Sequence, residues 1–520
     1  MRWRSAQSDL EPKTTIYEHI IAHLPPAGPG LTEGGDTLPD TQPKSDELAW
    51  ISGGLDGAFG FHAGPAAGDE QLVLDVFGLL AKATRPGAKA TDVGRLYEKV
   101  RTSEVLASLD AVLRMVRSNG LPAAGLRHVG VRLAKEGRHR EPVKFGMALL
   151  GLLKGDPERD LLLMLGRHEE FTLFAVVAIK NSDPDSEPFL LKLAKSVEGW
   201  GRIQCVRRLS DAERSDTKDW ILREGFRNGV MNEYLAFIAA TTGGLVTALG
   251  GPGGDPILLD AACDIISALI AGGPAEDIDD YEQAPEAIRL LVSRLNGEAV
   301  SLHNFLAVDD IERFLADDEG WDGRLEKGWT ADLRQELIDR TRAIKSWESW
   351  RALAVEGLAS EDRYGYYVAD RVARSLGVDT FENRWQRLQA DPLRESWQWV
   401  FELCDERRID EVIALAEIAL PLEKIASGPA ESLGIGPEWG PHRALDSVLQ
   451  GLRRFPGRGW KLVETGLRSP VVRNRNMAIR TLSAWGPGSF SPEMRAAVTA
   501  AAEIEPRDDV RGRLEDLCNS

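Results

Sequence analysis

Cysteine is nearly absent from this chain: four residues in 520, at Cys205, Cys263, Cys404 and Cys518. None forms a C-x-x-C pair, so neither zinc-type spacing nor a disulfide framework is present, and buried thiols in a reducing compartment are expected. No run of 18 apolar residues occurs, and no apolar segment of signal-peptide type follows the charged N-terminus. A soluble cytoplasmic protein is therefore the expectation. Positive charge is also short, with 63 Lys and Arg against 81 Asp and Glu, a formal net charge of −18. Phosphate neutralisation supplies most non-specific nucleic-acid affinity, so this balance disfavours a nucleic-acid partner except at a local patch.

Motifs of common chemistries are missing too. There is no G-x-S-x-G, no Gly-Lys dipeptide for a phosphate loop and no G-x-G-x-x-G after a strand. His168-Glu169-Glu170 is not the start of H-E-x-x-H, because Thr172 occupies the second histidine position. His19 and His23 stand four apart beside Glu18, a spacing that can hold a metal on one helix face. No third ligand accompanies them. No catalytic, cofactor-binding or metal-ligating residue is assigned, and no cofactor is expected.

What is present is helix. Residues 1–70 read as an irregular extension: a short helix around Thr14–Leu24, a Pro- and Gly-rich segment to Lys44, and five glycines within Gly53–Gly64 that suggest turns or a short hairpin. From Asp69 onward the apolar residues recur at helical spacing, as in Leu72, Val76, Leu79 and Leu80. Three turn signals, at Asp156, Asp183 and Asp211, are 27 and 28 residues apart, each between two apolar helices. Such a pair cannot hide both apolar faces alone, and stacking neighbours can. The chain end repeats the theme, with helices broken at Ser469-Pro470, Gly486-Pro487 and Ser491-Pro492. The fold class expected is all-α: an α-solenoid of antiparallel helix pairs over residues 71–520, with a break near 244–256.

The stretch SPVVRNRNMAIRTLSAWG resembles the first helix of a HEAT repeat, through Pro470, Val472-Arg473, Ala478, Leu482 and the closing Gly486. Residues 197–236 are similar to a group of bacterial HEAT-like proteins, some of which carry the label limonene hydroxylase. The resemblance implies stacked helix pairs and implies no chemistry, since a hydroxylase needs a redox cofactor whose motifs are missing here.

Two groups of residues are candidates for function. Residues 453–480 hold eight cations against one acid, Glu464. Val471, Ala478 and Leu482 should face the core. Arg473 and Arg480, seven apart, should share an exposed face with Arg468 nearby, while Arg475 falls on another side. With Trp460 and Trp485 these arginines form a candidate partner-binding surface. HEAT-like DNA glycosylases use basic, aromatic-lined faces, which keeps nucleic acid as an alternative. The second group is Asn228, Asn232, Glu233 and Tyr234, a candidate polar pocket; the alternative is that Asn232 and Glu233 satisfy loop backbone groups between stacked repeats. Tryptophan is concentrated after residue 199; core packing is expected of it, and an exposed aromatic groove would instead mark a partner site. The leading function expected is an interaction scaffold for a protein or peptide. The alternative is an enzyme or nucleic-acid-binding protein on the same fold.

Overall fold

The computed structural model describes residues 12–41, 52–54, 70–102, 105–155, 158–295 and 301–519. Among them the chain is all helical, and the only extended pairing is an isolated bridge between Ser432 and Val471. No described helix is long and apolar enough to cross a membrane. The glycine-rich stretch 55–69 and Asp156 lie outside the described residues.

The chain divides into two compact units, with the boundary between Leu353 and Ala354. The stretch 244–256 lies inside the first unit.

The first unit begins with α1 (Ile16–Ala22), where Thr15 and Glu18 close a capping box. It continues with α2 (Glu70–Ala83), α3 (Ala90–Arg101), α4 (Val105–Asn119), α5 (Ala123–Glu136) and α6 (Arg140–Leu150). Then follow α7 (Arg159–Leu165), α8 (Glu169–Ser182), α9 (Glu187–Ala194), α10 (Gly199–Arg207) and α11 (Ser215–Trp220). A π-turn, Ile221–Gly225, extends α11. The rest are α12 (Ala236–Thr241), α13 (Leu245–Gly250), α14 (Pro256–Ala271), α15 (Ala284–Arg294), α16 (Leu302–Ala316), α17 (Trp321–Leu325) and α18 (Ala331–Lys345). The unit boundary falls within α19 (Glu348–Gly357).

One row of helices carries the first unit: α6 packs on α8, α8 on α10, α14 on α16 and α16 on α18, with the π-turn against α14. The intervening helices pack alongside, as α7 does on α8 and α13 on α15. Close approach needs small residues. A Cβ on Gly146 of α6 would stand 2.8 Å from the Gly130 carbonyl oxygen of α5. Asp183 and Asp211 both fall in turns between helices, as the spacing predicts. Each takes a cation from the preceding unit of the repeat: Arg159 pairs with Asp183 at 2.6 Å and Lys180 with Asp211 at 2.9 Å.

The second unit comprises α20 (Arg363–Ser375), α21 (Phe381–Ala390), α22 (Trp397–Leu403), α23 (Ile409–Ala419), α24 (Leu422–Ile425) and α25 (Gly440–Leu452). It ends with α26 (Trp460–Leu467), α27 (Val472–Trp485), α28 (Pro492–Ile504) and α29 (Asp508–Asn519). Here α22, α25, α27 and α29 form one row, and α23, α26 and α28 a second. Ser491 caps α28 ahead of Pro492, the start signal read from the sequence. The core is aromatic and aliphatic, with Trp385, Trp397, Phe401, Leu445, Leu449, Leu482 and Trp485 in one cluster.

Candidate functional site

Helices α25 and α27 of the second unit bring the basic stretch together. Val471, Ala478 and Leu482 are fully buried, which fixes the rotation of α27 and turns Arg473 and Arg480 outward. Arg468, at the end of α26, is exposed as well. Most cations of the stretch are occupied. Arg473 pairs with Asp446 of α25, Arg458 with Asp410 at 2.6 Å, and Lys461 with Glu417 at 3.6 Å. Arg454 donates to the carbonyls of Phe401 and Cys404. Arg468 and Arg480 have no ion-pair partner among the described residues.

Trp485, expected beside these arginines on a binding face, is instead core. It closes the last turn of α27 toward α25 and donates its indole N–H to the Leu452 carbonyl at 2.8 Å. Trp460 is half-buried, and its indole N–H meets no acceptor among the described residues.

Arg475 is the deepest charge in the unit. Its guanidinium makes two bonds to Glu505, at 2.7 and 2.8 Å, and donates to the Ser469 and Pro470 carbonyls. Both side chains of this pair are 1% exposed. The pair staples the start of α27 to the loop between α28 and α29.

Beside it, Ser469, His442 and Asp446 have the residue types of an acyl-transfer triad, and the geometry is different. His442 Nδ1 lies 2.7 Å from Asn474 Oδ1, an acceptor, so Nδ1 carries the proton. The Ser469 hydroxyl, wholly buried, donates to the same oxygen at 2.8 Å. Asp446 accepts from Arg473 and Asn474, and burial holds its carboxyl above the usual range against their lowering pull. No free lone pair faces the serine hydroxyl as a base must. The group is an interhelical lock.

The polar residues after the π-turn serve the loop. Asn228 is buried; its Oδ1 accepts from the backbone N–H groups of Val230 and Met231, and its Nδ2 donates to the Phe226 and Met231 carbonyls. All four bonds stay within one turn, so Asn228 takes the backbone-satisfying role that the sequence suggested for Asn232 and Glu233. Asn232 and Glu233 are half-buried, and Tyr234 is buried against Trp200 with ring centres 5.1 Å apart.

Tryptophan is mostly core, as Trp350 and Trp397 show with at most 1% exposure. One aromatic group is not. Tyr364 and Tyr367, on one face of α20, are exposed, the first at 62%. Half-buried Trp399 stacks obliquely against Tyr367 at 5.4 Å. Exposed Leu393 is tied to the same helix start, because Arg363 donates to the neighbouring Arg394 carbonyl at 2.6 Å. Arg384 lies under this face: it donates to the Trp399 carbonyl and pairs with buried Asp370.

Sequence reasoning passed over a buried cluster in the first unit. His168 is fully buried, caps α8 by accepting from the Glu170 N–H, and is held neutral by burial, its pKa lowered to about 4. Glu169 caps the next helix of the row instead, accepting from Trp200 N–H at 2.9 Å; burial pushes its carboxyl up to about 7. Gly199 has φ +51°, and a Cβ there would stand 2.4 Å from the Glu169 carboxylate. Glu170 binds Lys144 at 2.7 Å and the Gly53 N–H at 3.1 Å, while Arg140 engages Asp40. These contacts fasten the N-terminal segment to the helical row. His19 and His23 brace the N-terminal segment internally, Nε2 of His19 at 3.0 Å from the Gly35 carbonyl and Nδ1 of His23 at 2.8 Å from that of His19. The available signal was the polar run His168-Glu169-Glu170 at the head of an otherwise apolar helix.

No protein-family model matches the chain, and no curated protein matches it.

Proposed function

We propose that this chain is a HEAT-like interaction protein that binds a protein or peptide partner, anchored on the α20 face of the second unit. The observation that carries the reading is the exposed aromatic group of Tyr364, Tyr367 and Trp399. Tyr and Trp are the residue types that dominate binding energy at interfaces, because they supply large contact area with few rotatable bonds. Arg384 and Asp370 hold Trp399 from below, so the anchor is set before a partner arrives. Exposed Arg468 and Arg480 suit acidic contacts as secondary points of attachment. Nucleic acid is supported less well, since most cations of the 453–480 stretch are spent on acids and carbonyls of this chain. Cys205, Cys263 and Cys404 are buried free thiols, which suits a reducing, cytoplasmic setting.

The test is affinity capture from the native host, followed by a direct binding measurement with each purified captured protein. The reading expects at least one direct binder that loses tenfold or more in affinity with Tyr364→Ala/Tyr367→Ala. If every direct binder keeps its affinity for that variant while helicity is unchanged, the reading is wrong.

A further inference from the structure

The N-terminal segment roofs a cavity of about 240 Å³ in the first unit, against α7 and α9. Its apolar wall is Leu24, Leu163, Met164 and Leu193; its polar side is Arg167, Lys192, Asp160 and Ser196. The roof is held down at Gly30. The Gly30 N–H donates to the Ser196 carbonyl at 3.0 Å, and Arg167 Nη2 donates to the Gly30 carbonyl at 3.2 Å.

The Arg167 guanidinium is half-buried and, among the described residues, engages only the Gly28 and Gly30 carbonyls. Its Nε–H is buried with no acceptor among the described residues. No described carboxylate lies within ion-pair distance, and burial alone pulls its pKa below the usual range. Among other half-buried arginines, Arg140 takes Asp40 and Arg324 takes Asp279, while Arg202 and Arg294 take carbonyls. The cavity lining thus carries two cations, Arg167 and Lys192, against one acid, Asp160, beside apolar side chains.

We propose that this cavity binds a small amphipathic monocarboxylate. The carboxylate would supply the missing countercharge and an acceptor for Arg167, assisted by Lys192. The apolar body would lie on Leu24, Leu163, Met164 and Leu193. A bidentate or charge-assisted bond to a guanidinium suits a carboxylate geometrically. The size excludes large ligands, because sites for drug-sized molecules span about 300–1,000 Å³. A six-carbon acid is the natural probe. The site is in the first unit and does not depend on the partner surface of the second.

The experiment is calorimetric titration of the full chain with hexanoate, beside hexan-1-ol. Hexanoate should give saturable heat at millimolar or lower concentration, and hexan-1-ol should bind at least tenfold more weakly. Arg167→Gln should weaken hexanoate at least tenfold and Lys192→Gln about threefold. Because loss of Arg167 also removes roof contacts, Leu163→Trp provides an independent arm: it fills the apolar end with every charge kept, and should abolish binding with helicity unchanged. No saturable heat with the unmodified chain, equal binding of the alcohol, or undiminished binding in folded Leu163→Trp would overturn the proposal.

Discussion

Replacing Arg475 by Met strands Glu505 in the core of the second unit. The two bonds from Nε and Nη2 vanish, and the Ser469 and Pro470 carbonyls lose their donor. With both partners 1% exposed, water cannot substitute. Removing one partner of a buried ion pair costs about 3–5 kcal/mol. For a unit of this size each kcal/mol moves the midpoint by roughly 2–4 °C, so a drop on the order of 6–20 °C is expected. Replacing both, Arg475→Met with Glu505→Leu, leaves no stranded charge, and such exchanges are often neutral. The double variant should therefore recover most of the loss. Scanning calorimetry of the full chain, read on the transition that moves, measures Arg475→Met, Glu505→Leu and the double variant. Loss in Arg475→Met below about 1 kcal/mol, or a double variant that only adds the two single losses, would refute the reasoning.

Further outcomes follow from the same structure. Charge reversal at Arg468 and Arg480 together should change stability by no more than about 0.5 kcal/mol, since both are exposed and unpaired among the described residues; urea unfolding checks it. Asn228→Ala should cost about 1–3 kcal/mol by leaving four loop backbone groups without their partner, measured the same way. The buried cluster gives two opposing pH slopes. His168 titrates near 4 when folded and near 6.5 when unfolded, so the unfolded chain binds the extra proton and stability rises with pH between these values. Glu169 titrates near 7 when folded and 4.5 when unfolded, so the folded chain binds the extra proton and stability falls as pH rises between them. Each contributes on the order of 3 kcal/mol and they oppose across pH 4.5–6.5. Glu169→Gln should thus leave a first unit whose stability climbs with pH there, and His168→Asn one whose stability declines; thermal midpoints at stepped pH read the sign.

The helical character and the helix-pair spacing were legible because both rest on local chemistry. Pro492 after Ser491 marks a start whatever surrounds it, and Asp183 and Asp211 repeat at the length of a helix pair. The rotation of α27 was legible for the same reason: Val471, Ala478 and Leu482 make one apolar stripe, and Arg475 stands off the Arg473–Arg480 line. What could not be read was which cation meets which acid. Glu505 lies 30 residues from Arg475, and nothing in that interval marks them as partners. Trp485 shares a stretch with exposed arginines, yet its position at the α27 terminus turns it toward Leu452. The His168 cluster escaped because its burial comes from a distant segment, the glycines and aspartates of residues 30–40 together with Gly53, whose own composition shows no reason to dock. Tyr366 is buried between exposed Tyr364 and Tyr367, and which of three neighbouring tyrosines faces solvent depends on helix neighbours that the spacing alone does not identify.

Photo-crosslinking from position 364 tests the central claim most directly. A benzophenone side chain in place of Tyr364, irradiated in the native host, sits where the partner is expected. The account predicts a discrete adduct with one protein species, competed by the unmodified chain and absent when the same group replaces Glu438 in an exposed turn of the same unit. Irradiation that yields no protein adduct at 364 or at 367, or one that joins nucleic acid instead, would contradict it.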